Sequence, residues 1–202
     1  MTQPPVAYRN LELSDAEAAA ALEQICHPSI QDSSLLLADD VAVHVDTFHD
    51  GNWVATVGGD IIGISLSWRL DFDFDEPIHR FEDVDDPRLH RADGPWLYGL
   101  DTSVHPDYRG LGVGAGFYDL RRNYVTEQQL RGIILGGMVP GYEPVQHQMS
   151  IEHYVAQVVA GERYDATLSF QLKQGFTVEG ILPGYVAGNI GDGVATLLVW
   201  RP

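Results

Sequence analysis

Hydrophobic and polar positions along the chain follow two periodicities, one of two residues and one near 3.6 residues, which predict strands and helices. In the first third, an alternating run precedes Ser14, and the acidic residues and alanines after Ser14 indicate a helix N-cap there. Two β-rich runs are joined by Gly58-Gly59-Asp60, a composition typical of a hairpin turn. The elements predicted here are a strand at 8–13, a helix from Ser14 to about Ile25, a second helix over 35–47, and strands at 53–57 and 61–68.

The middle of the chain predicts a helix between two strands of one sheet. The run Ile133-Ile134-Leu135 is typical of a buried strand, and a glycine-rich segment opens the helix before it. A helix that connects two neighbouring strands makes them parallel. One helix face is apolar, which leaves Arg121 and Arg122 toward solvent or a ligand. The predicted elements are a strand at 96–104, a turn at 105–108, a helix over 111–127 with Leu111, Val113, Phe117, Leu120 and Tyr124 on its apolar face, and a strand at 132–138.

The last third adds two helices and two closing strands. Ser150 and Asp165 each stand where a helix N-cap is expected, and Gly175 stands where a helix ends. The predicted elements are an inserted helix over 150–159, a short helix from Asp165 to Gly175, and strands at 176–182 and 195–200. The sum predicts an α/β (α+β) fold, with a mixed sheet and helices on both faces.

At 202 residues, of which 45% are hydrophobic, the chain is long enough for one hydrophobic core. We therefore expect one domain over 1–202, with an acidic loop at 71–94 and an insert at 139–164. The first ten residues lack the cationic start and apolar stretch of a signal peptide. No run approaches the roughly 18 to 20 apolar residues of a membrane span. We expect a soluble, cytoplasmic protein without a membrane partner.

Charge and residue counts narrow the classes of partner. The net charge is −17 and Lys173 is the only lysine, which argues against nucleic acid, because phosphate contacts need clustered Lys and Arg. The acidic loop is either a solvated surface or an attraction for a cationic substrate such as an amine. Cys26 is the only cysteine, so an internal disulfide and a zinc site of several thiolates are excluded. The eight histidines lack metal-site spacing, and no metal is predicted.

The segment Arg109-Gly110-Leu111-Gly112-Val113-Gly114 has the composition of an anion site. It joins a strand to a helix, so backbone N–H groups and the positive end of the helix dipole point the same way. Glycines let the backbone approach phosphate oxygens, and Arg109 adds positive charge. The alternative, a dinucleotide fingerprint at 110–115, is disfavoured because the loop is in mid-chain and strand 132–138 ends without an acidic residue for the ribose.

The run Val104-His105-Pro106-Asp107-Tyr108 and the glycine loop after it resemble the signature of the GNAT acetyltransferase superfamily, Q/R-x-x-G-x-G/A after a V-x-P turn. The hairpin at 53–63 and Gln174-Gly175-Phe176 resemble the segments that flank this signature. Residues 132–142, the insert around Tyr154 and residues 165–184 look more specifically like GNAT domains fused to carbon–nitrogen hydrolases. The resemblance covers most of the chain. It implies a mostly antiparallel central sheet whose one parallel pair is splayed around a coenzyme A (CoA) site.

The resemblance also implies that acyl-CoA, in the first instance acetyl-CoA, lies as co-substrate between the strands 96–104 and 132–138. The pantetheine arm would pair with the first of these strands, and the glycine loop would hold the pyrophosphate. Arg121 and Arg122 would reach the ribose phosphate or remain at the surface. The implied cofactor-binding residues are Thr102, Ser103, Val104, Arg109, Gly110, Leu111, Gly112, Val113, Gly114 and Ala115.

The mechanism implied by the resemblance is direct attack of a neutral amine on the thioester, which needs a base for the amine proton. The candidate catalytic residues are Asp101, His105 and Ser169, with Glu143 and His147 as further candidates for the base. Plain alternatives are a buried acceptor for Asp101 and a turn residue for His105. Many relatives carry a tyrosine proton donor four residues before the glycine of x-G-F, where this chain has Gln171. That role would pass to Ser169, Tyr154, Tyr164, water or no group.

Three functions from different classes are compatible with these features. The first is an N-acyltransferase that acts on a small-molecule amine or a peptide amine, and the glycine loop favours it. The second is a non-catalytic acyl-CoA-binding domain, suggested by Gln171. The third is a module whose acidic loop binds a basic protein. By the resemblance, the acceptor pocket involves residues 25–37, 71–94 and 139–161, and homodimer formation is left open.

Overall fold

Within residues 5–28, 36–186 and 193–202, which the computed structural model describes, seven strands form one mixed sheet. The strands are β1 (Ala7–Asn10), β2 (Trp53–Val57), β3 (Asp60–Leu70), β4 (Trp96–Val104), β5 (Gly132–Met138), β6 (Thr177–Leu182) and β7 (Ala195–Trp200). Their order across the sheet is β1-β2-β3-β4-β5-β7-β6. Neighbouring strands are antiparallel except β4 and β5, which are parallel as predicted.

The same residues form five α-helices, which are α1 (Ala16–Cys26), α2 (Ala38–Phe48), α3 (Val113–Glu127), α4 (Ile151–Val159) and α5 (Leu168–Lys173). The predicted N-cap at Ser150 is confirmed, because its hydroxyl accepts the His153 N–H at the start of α4. At α5 the Asp165 carboxylate accepts the N–H groups of Thr167 and Leu168, but Thr167 is the residue that directly precedes the helix. None of these helices has the length and apolar character that a bilayer crossing requires.

The starts of the first three helices differ from the prediction. The Asp15 carboxylate accepts the Glu12 N–H, which places a short 3-10 turn before α1, so Asp15 and not Ser14 is the residue that precedes the helix. α2 begins at Ala38, and the predicted start at residue 35 lies outside the described residues. α3 begins at Val113 because Gly112 before it is left-handed, which leaves Leu111 exposed rather than on the apolar face.

Helices cover both faces of the sheet because successive strand residues point to opposite sides. On β2, Val54 packs in the core that α1 and α2 share with the sheet. Trp53 and Ala55 pack on the opposite face, against Phe117 of α3. The predicted fold class is therefore confirmed.

Parallel pairing between β4 and β5 stops part-way along the two strands. It runs from Trp96 opposite Gly132 to Gly99 opposite Leu135. Beyond this point, β4 remains bonded to β3 as far as Val104, and β5 remains bonded to β7 as far as Met138. The two strands part here, and the opening between them is the splayed pair that the sequence predicted.

A β-bulge lies where β4 leaves β5. Leu66 pairs with Asp101 and the next residue, Ser67, pairs with Gly99, so Leu100 is an extra residue in β4. A bulge interrupts the ladder of hydrogen bonds and redirects the side chains that follow it. The bulge therefore sets the direction of the β4 side chains that line the opening.

Arg121 of α3 fills this interruption. Its Nη2 donates to the carbonyl oxygen of Leu66 at 2.9 Å and to that of Asp101 at 2.6 Å. Arg121 is 1% exposed, so the prediction that it faces solvent or a ribose phosphate is wrong. The physical reason is that buried carbonyl oxygens need donors, and the guanidinium supplies them where the ladder is broken.

Arg121→Ala should lower the free energy of unfolding by about 2–4 kcal/mol, because it leaves two buried carbonyls without a donor and opens a cavity. Arg122→Ala on the same helix should cost about 1 kcal/mol or less, since Arg122 pairs with Asp119 at the helix surface. Urea unfolding of both variants measures the difference. Equal losses for the two variants would contradict the structural role assigned to Arg121.

Candidate functional site

The glycine loop follows the open end of β4 directly. After Val104 the chain makes a 3-10 turn, Pro106–Tyr108, and then enters a loop in which Gly110 and Gly112 have φ angles of 75° and 86°. These left-handed conformations suit glycine and turn the loop into the first turn of α3. The first N–H groups of a helix have no partner within the helix, so this loop presents donors and a positive dipole end.

Several contacts hold the loop in place from behind. The Tyr8 hydroxyl of β1 donates to the carbonyl oxygen of Val113 at 3.0 Å, and Val113 itself is buried. Arg109 folds back so that its Nε donates to the Val104 carbonyl at 3.0 Å. Leu111 is exposed at the outer edge of the loop. The loop is thus attached to β1 at Val113 and to the end of β4 at Arg109.

The structure places the predicted catalytic residues in different surroundings. Asp101 lies on β4 beside the opening, and its Oδ2 is buried without a hydrogen-bond partner among the described residues. His105 accepts the N–H of Asp107 in the turn after β4. The Ser169 hydroxyl accepts the N–H of Asp165 at the start of α5. Of the three, Asp101 is the residue that the fold brings to the parted strands.

A cluster of polar side chains lies between α1 and β4. Ser103 Oγ is 2.9 Å from Glu23 Oε2, 3.0 Å from His27 Nε2 and 3.3 Å from Asp101 Oδ1. His27 Nε2 is also 3.5 Å from Glu23 Oε1. Donor atoms of Glu23, His27 and Asp101 lie within 4.8 Å of one another, close enough to share one cation, whether a proton or a metal ion. The absence of a metal stays a prediction.

Burial changes the acidity of both carboxyl groups in this cluster. It raises the pKa of the Glu23 carboxyl to about 8, and the nearby Asp101 charge adds to that rise. Burial also raises the pKa of Asp101, while His27, Ser103 and Arg121 act in the opposite direction. Burial thus favours the protonated form of both carboxyl groups.

Gln171 occupies the place where the resemblance led us to look for a tyrosine. Gln171 is buried. A side chain at Gly137, which lies in β5 beyond the pairing with β4, would collide with Gln171 Oε1. Its Nε2 donates to the hydroxyl of Tyr118 at 3.4 Å. A phenol thus lies beside the glutamine, but it comes from α3, and the sequence analysis did not select it.

A second chain of hydrogen bonds reaches the opening from the acidic loop. His79 Nε2 is 2.7 Å from the Tyr98 hydroxyl, which is 3.0 Å from the Tyr185 hydroxyl. The Tyr185 ring lies against Gly136, the first residue of β5 beyond the parallel pairing. Loop and sheet are further joined by the Phe81 N–H, which donates to the Tyr185 carbonyl. The acidic loop is therefore anchored to the site and is not only a solvated surface.

Sequence reasoning missed Glu23, His27, Tyr98 and Tyr185. Glu23 lies on α1 and His27 is the C-cap residue directly after it, so the spacing of four residues that brings them together was visible in the sequence. Nothing in the sequence indicated that this face meets Asp101 and Ser103, because residues 23 and 101 are distant in the chain. The two tyrosines carried no local signal at all.

Several solved structures share this architecture. The chain matches the GNAT-like decarboxylase GphF in complex with isobutyryl-CoA with a TM-score of 0.80 and 21% identity, over 96% of this chain and 98% of that one. The loading GNATL domain of CurA from Lyngbya majuscula gives a TM-score of 0.84 and 18% identity, over 98% of both chains. A diaminobutyrate acetyltransferase from Paenibacillus lautus gives 0.57 and 14%, over 98% of this chain and 96% of that one. The fold is that of the GNAT superfamily.

Two proteins of Bacillus subtilis (strain 168) are similar in sequence. "Probable hydrolase YhcX" is 32% identical over 197 residues, which are 96% of this chain but 38% of that protein. "Uncharacterized N-acetyltransferase YkwB" is 29% identical over 197 residues, 96% of this chain and 87% of that protein. No protein-family model matches the chain. The fold is therefore GNAT-like, and the partial match to a hydrolase agrees with the branch that the sequence resembles.

Glu23 should make stability depend on pH. The pKa of the Glu23 carboxyl is about 8 in the folded chain, against its ordinary value of 4.5, so the folded state binds this proton more tightly than the unfolded chain does. The resulting stabilisation is complete below about pH 4.5 and is lost as the pH rises through 8. Relative to Glu23→Gln, which cannot titrate, the wild type should lose on the order of a few kcal/mol between pH 5 and pH 9.

Urea unfolding at several pH values measures this loss. Glu17→Gln is the matched control, because Glu17 is an exposed carboxyl on the same helix, and it should retain the pH dependence of the wild type. A constant difference between the wild type and Glu23→Gln across this range would contradict the raised pKa of Glu23.

Proposed function

We propose that the chain is an acyl-CoA-dependent N-acyltransferase that transfers the acyl group, in the first instance acetyl, directly to an amine. The observation that carries the proposal is the continuity of two features: β4 parts from β5 after Gly99, and the same strand leads into the left-handed glycine loop at the start of α3. An opening for a thioester arm and a backbone cradle for a pyrophosphate are thus built on one strand.

In this proposal the described residues bind the co-substrate in three places. The backbone of Thr102, Ser103 and Val104 borders the opening and would pair with the pantetheine arm. The backbone from Gly110 to Ala115 would donate to the pyrophosphate oxygens at the positive end of α3. Arg109 adds charge beside the loop, whereas Arg121 is buried under β4 and takes no part in binding phosphate.

The proposed reaction needs no covalent enzyme intermediate. The acceptor ammonium loses a proton to a carboxylate at the opening, for which Asp101 is the candidate of the three predicted residues that the fold best supports. The neutral amine then attacks the thioester carbonyl, the C–N bond forms and the C–S bond breaks. The acceptor is a small-molecule amine or a peptide amine, and its positive charge suits a chain with a net charge of −17.

A second candidate function is decarboxylation of a 2-carboxyacyl-CoA. The observation that favours it is the closer match in backbone to the GNAT-like decarboxylase GphF, with a TM-score of 0.80, than to the diaminobutyrate acetyltransferase, with 0.57. In this reaction the bond between the carboxylate and the α-carbon breaks, carbon dioxide leaves, and a proton takes its place on the α-carbon. The same opening and glycine loop would bind the CoA portion.

Gly112→Ala should weaken CoA binding by about tenfold or more, because a side chain at a left-handed residue strains the loop by about 1–2 kcal/mol and tilts its N–H groups. Gly161→Ala is the matched control, since Gly161 has a similar φ of 76° and its added carbon also meets no atom within 4 Å. Both variants should lose similar stability, but Gly161→Ala should bind CoA as the wild type does. Isothermal titration with CoA decides; an unchanged affinity in Gly112→Ala would contradict the proposed loop function.

Two assays on the wild type separate the candidate functions. Acetyl-CoA with a panel of small and peptide amines should release CoA thiol only when an acceptor amine is present. Malonyl-CoA should release carbon dioxide and no thiol if the second candidate is correct. CoA binding without either reaction would favour a non-catalytic domain. Failure to bind CoA would contradict both proposals and favour a protein-interaction module.

A further inference from the structure

The polar cluster of Glu23, His27, Asp101 and Ser103 contains more acceptors than donors. A serine hydroxyl has one hydrogen, and Ser103 Oγ lies within 3.3 Å of both a Glu23 and an Asp101 carboxyl oxygen. The Ser103 hydroxyl can donate its hydrogen to only one of the two carboxyl groups. The other carboxyl group can form a hydrogen bond with Ser103 Oγ only if it is protonated and acts as the donor. The geometry thus calls for one carboxyl group to be protonated and the other ionised.

The location of the cluster connects it to the opening between the strands. Asp101 and Ser103 are two residues apart on β4 and so point to the same side, toward α1. They follow the bulge at Leu100, where β4 has just left β5. Asp101 Oδ2 is buried and has no partner among the described residues, so it can accept one further hydrogen bond or proton.

We propose that Glu23 and Asp101 form a proton-sharing carboxyl pair, bridged by Ser103 and oriented by His27, which takes the proton from a cationic amine acceptor. The inference rests on the proposed acyltransferase function and deepens it, because it assigns the role of the base to two carboxyl groups, one from α1 and one from β4. It also specifies the acceptor as an amine that arrives protonated. Asp101 contacts the acceptor, and Glu23 acts through it as a positioning residue.

The charges around the pair agree with this assignment. The charged and titratable groups near it are His27 after α1, the Cys26 thiol of α1, Arg121 and Tyr118 of α3 and Asp85 of the acidic loop. Arg109 lies near Cys26 on the side of the glycine loop. Three carboxyl groups are thus set against two arginines and a histidine. The raised pKa of Glu23, about 8, fits a pair that holds one proton at neutral pH.

Two protons leave the acceptor amine in the proposed reaction. The acceptor R–NH₃⁺ gives one proton to the singly protonated pair, and the resulting R–NH₂ attacks the thioester carbonyl carbon. The C–N bond forms, the C–S bond breaks, and the second amine proton ends on the thiolate sulfur to give CoA–SH. The pair then releases the first proton to solvent, which restores it for the next cycle.

The decisive measurement is the pH profile of kcat/KM with acetyl-CoA and an amine that the wild type accepts. Asp101→Asn should lower kcat by about 10²-fold or more, the usual contribution of a general base. Glu23→Gln should move the acidic limb of the profile to higher pH by about one unit or more, because Asp101 loses the partner whose shared proton stabilises its ionised form. Glu17→Gln should leave the profile unchanged. A loss in Glu23→Gln that is equal at every pH would show a merely structural role and overturn the proposal.

A carboxyl titration by carbon-13 NMR tests the pair without any turnover. In the wild type, Glu23 should titrate near pH 8, and in Asp101→Asn its midpoint should fall. A Glu23 midpoint in the usual range for glutamate would overturn the shared proton. So would calorimetric binding of Zn²⁺ that Glu23→Gln abolishes, since a metal ion would then occupy the place of the proton. If no amine supports turnover while Glu23 still titrates near pH 8, the acyltransferase function fails and the proton-accepting role fails with it, but the shared proton stands.

Discussion

The contact between the Arg121 guanidinium and the bulge in β4 is the interaction on which the rest of the site depends. A guanidinium stays charged even when it is buried, so it requires acceptors wherever the fold places it. The carbonyl oxygens of Leu66 and Asp101 meet that requirement at the one place where the ladder between β3 and β4 is interrupted. A side chain at Gly99 would collide with the guanidinium, so this residue leaves the space it needs. The bulge, the parted strands and the direction of Asp101 are consequences of one arrangement.

The same arrangement explains how a strongly acidic chain can bury carboxyl groups beside its candidate site. Removing an ionised carboxyl from water is costly unless charge or protons compensate. Arg121 approaches Asp101 from the α3 side of β4, while His27 and Ser103 approach from the α1 side. Among the described residues no arginine forms an ion pair with Glu23, and burial raises the pKa of its carboxyl group to about 8. A cationic acceptor would therefore enter a site whose negative charge is only partly neutralised.

The fold alone does not choose between chemical reactions, because a GNAT-like decarboxylase and an amine acetyltransferase both share it. The glycine loop would bind the CoA portion of the substrate, which both reactions have in common. What separates them is the chemistry of the residues at the open ends of β4 and β5. On β4 these are Asp101 and Ser103, which meet Glu23 of α1, and on β5 the glycines that lie against Gln171 and Tyr185.

Periodicity and turn composition in the sequence were sufficient to predict the order of strands and helices, the parallel pair and the loop from Arg109 to Gly114. These features depend mainly on residues that are close together in the chain. Helix starts were less well predicted, since Asp15 and Gly112 act through local hydrogen bonds and backbone angles that composition does not reveal. From the sequence, Arg121 is expected to face solvent or a ligand, because a charged residue two turns into a helix is usually solvated. Only the tertiary structure showed that it lies under a bulge, whose register depends on the pairing of two strands. The carboxyl pair likewise required the fold, because Glu23 and Asp101 meet only after α1 packs on β4.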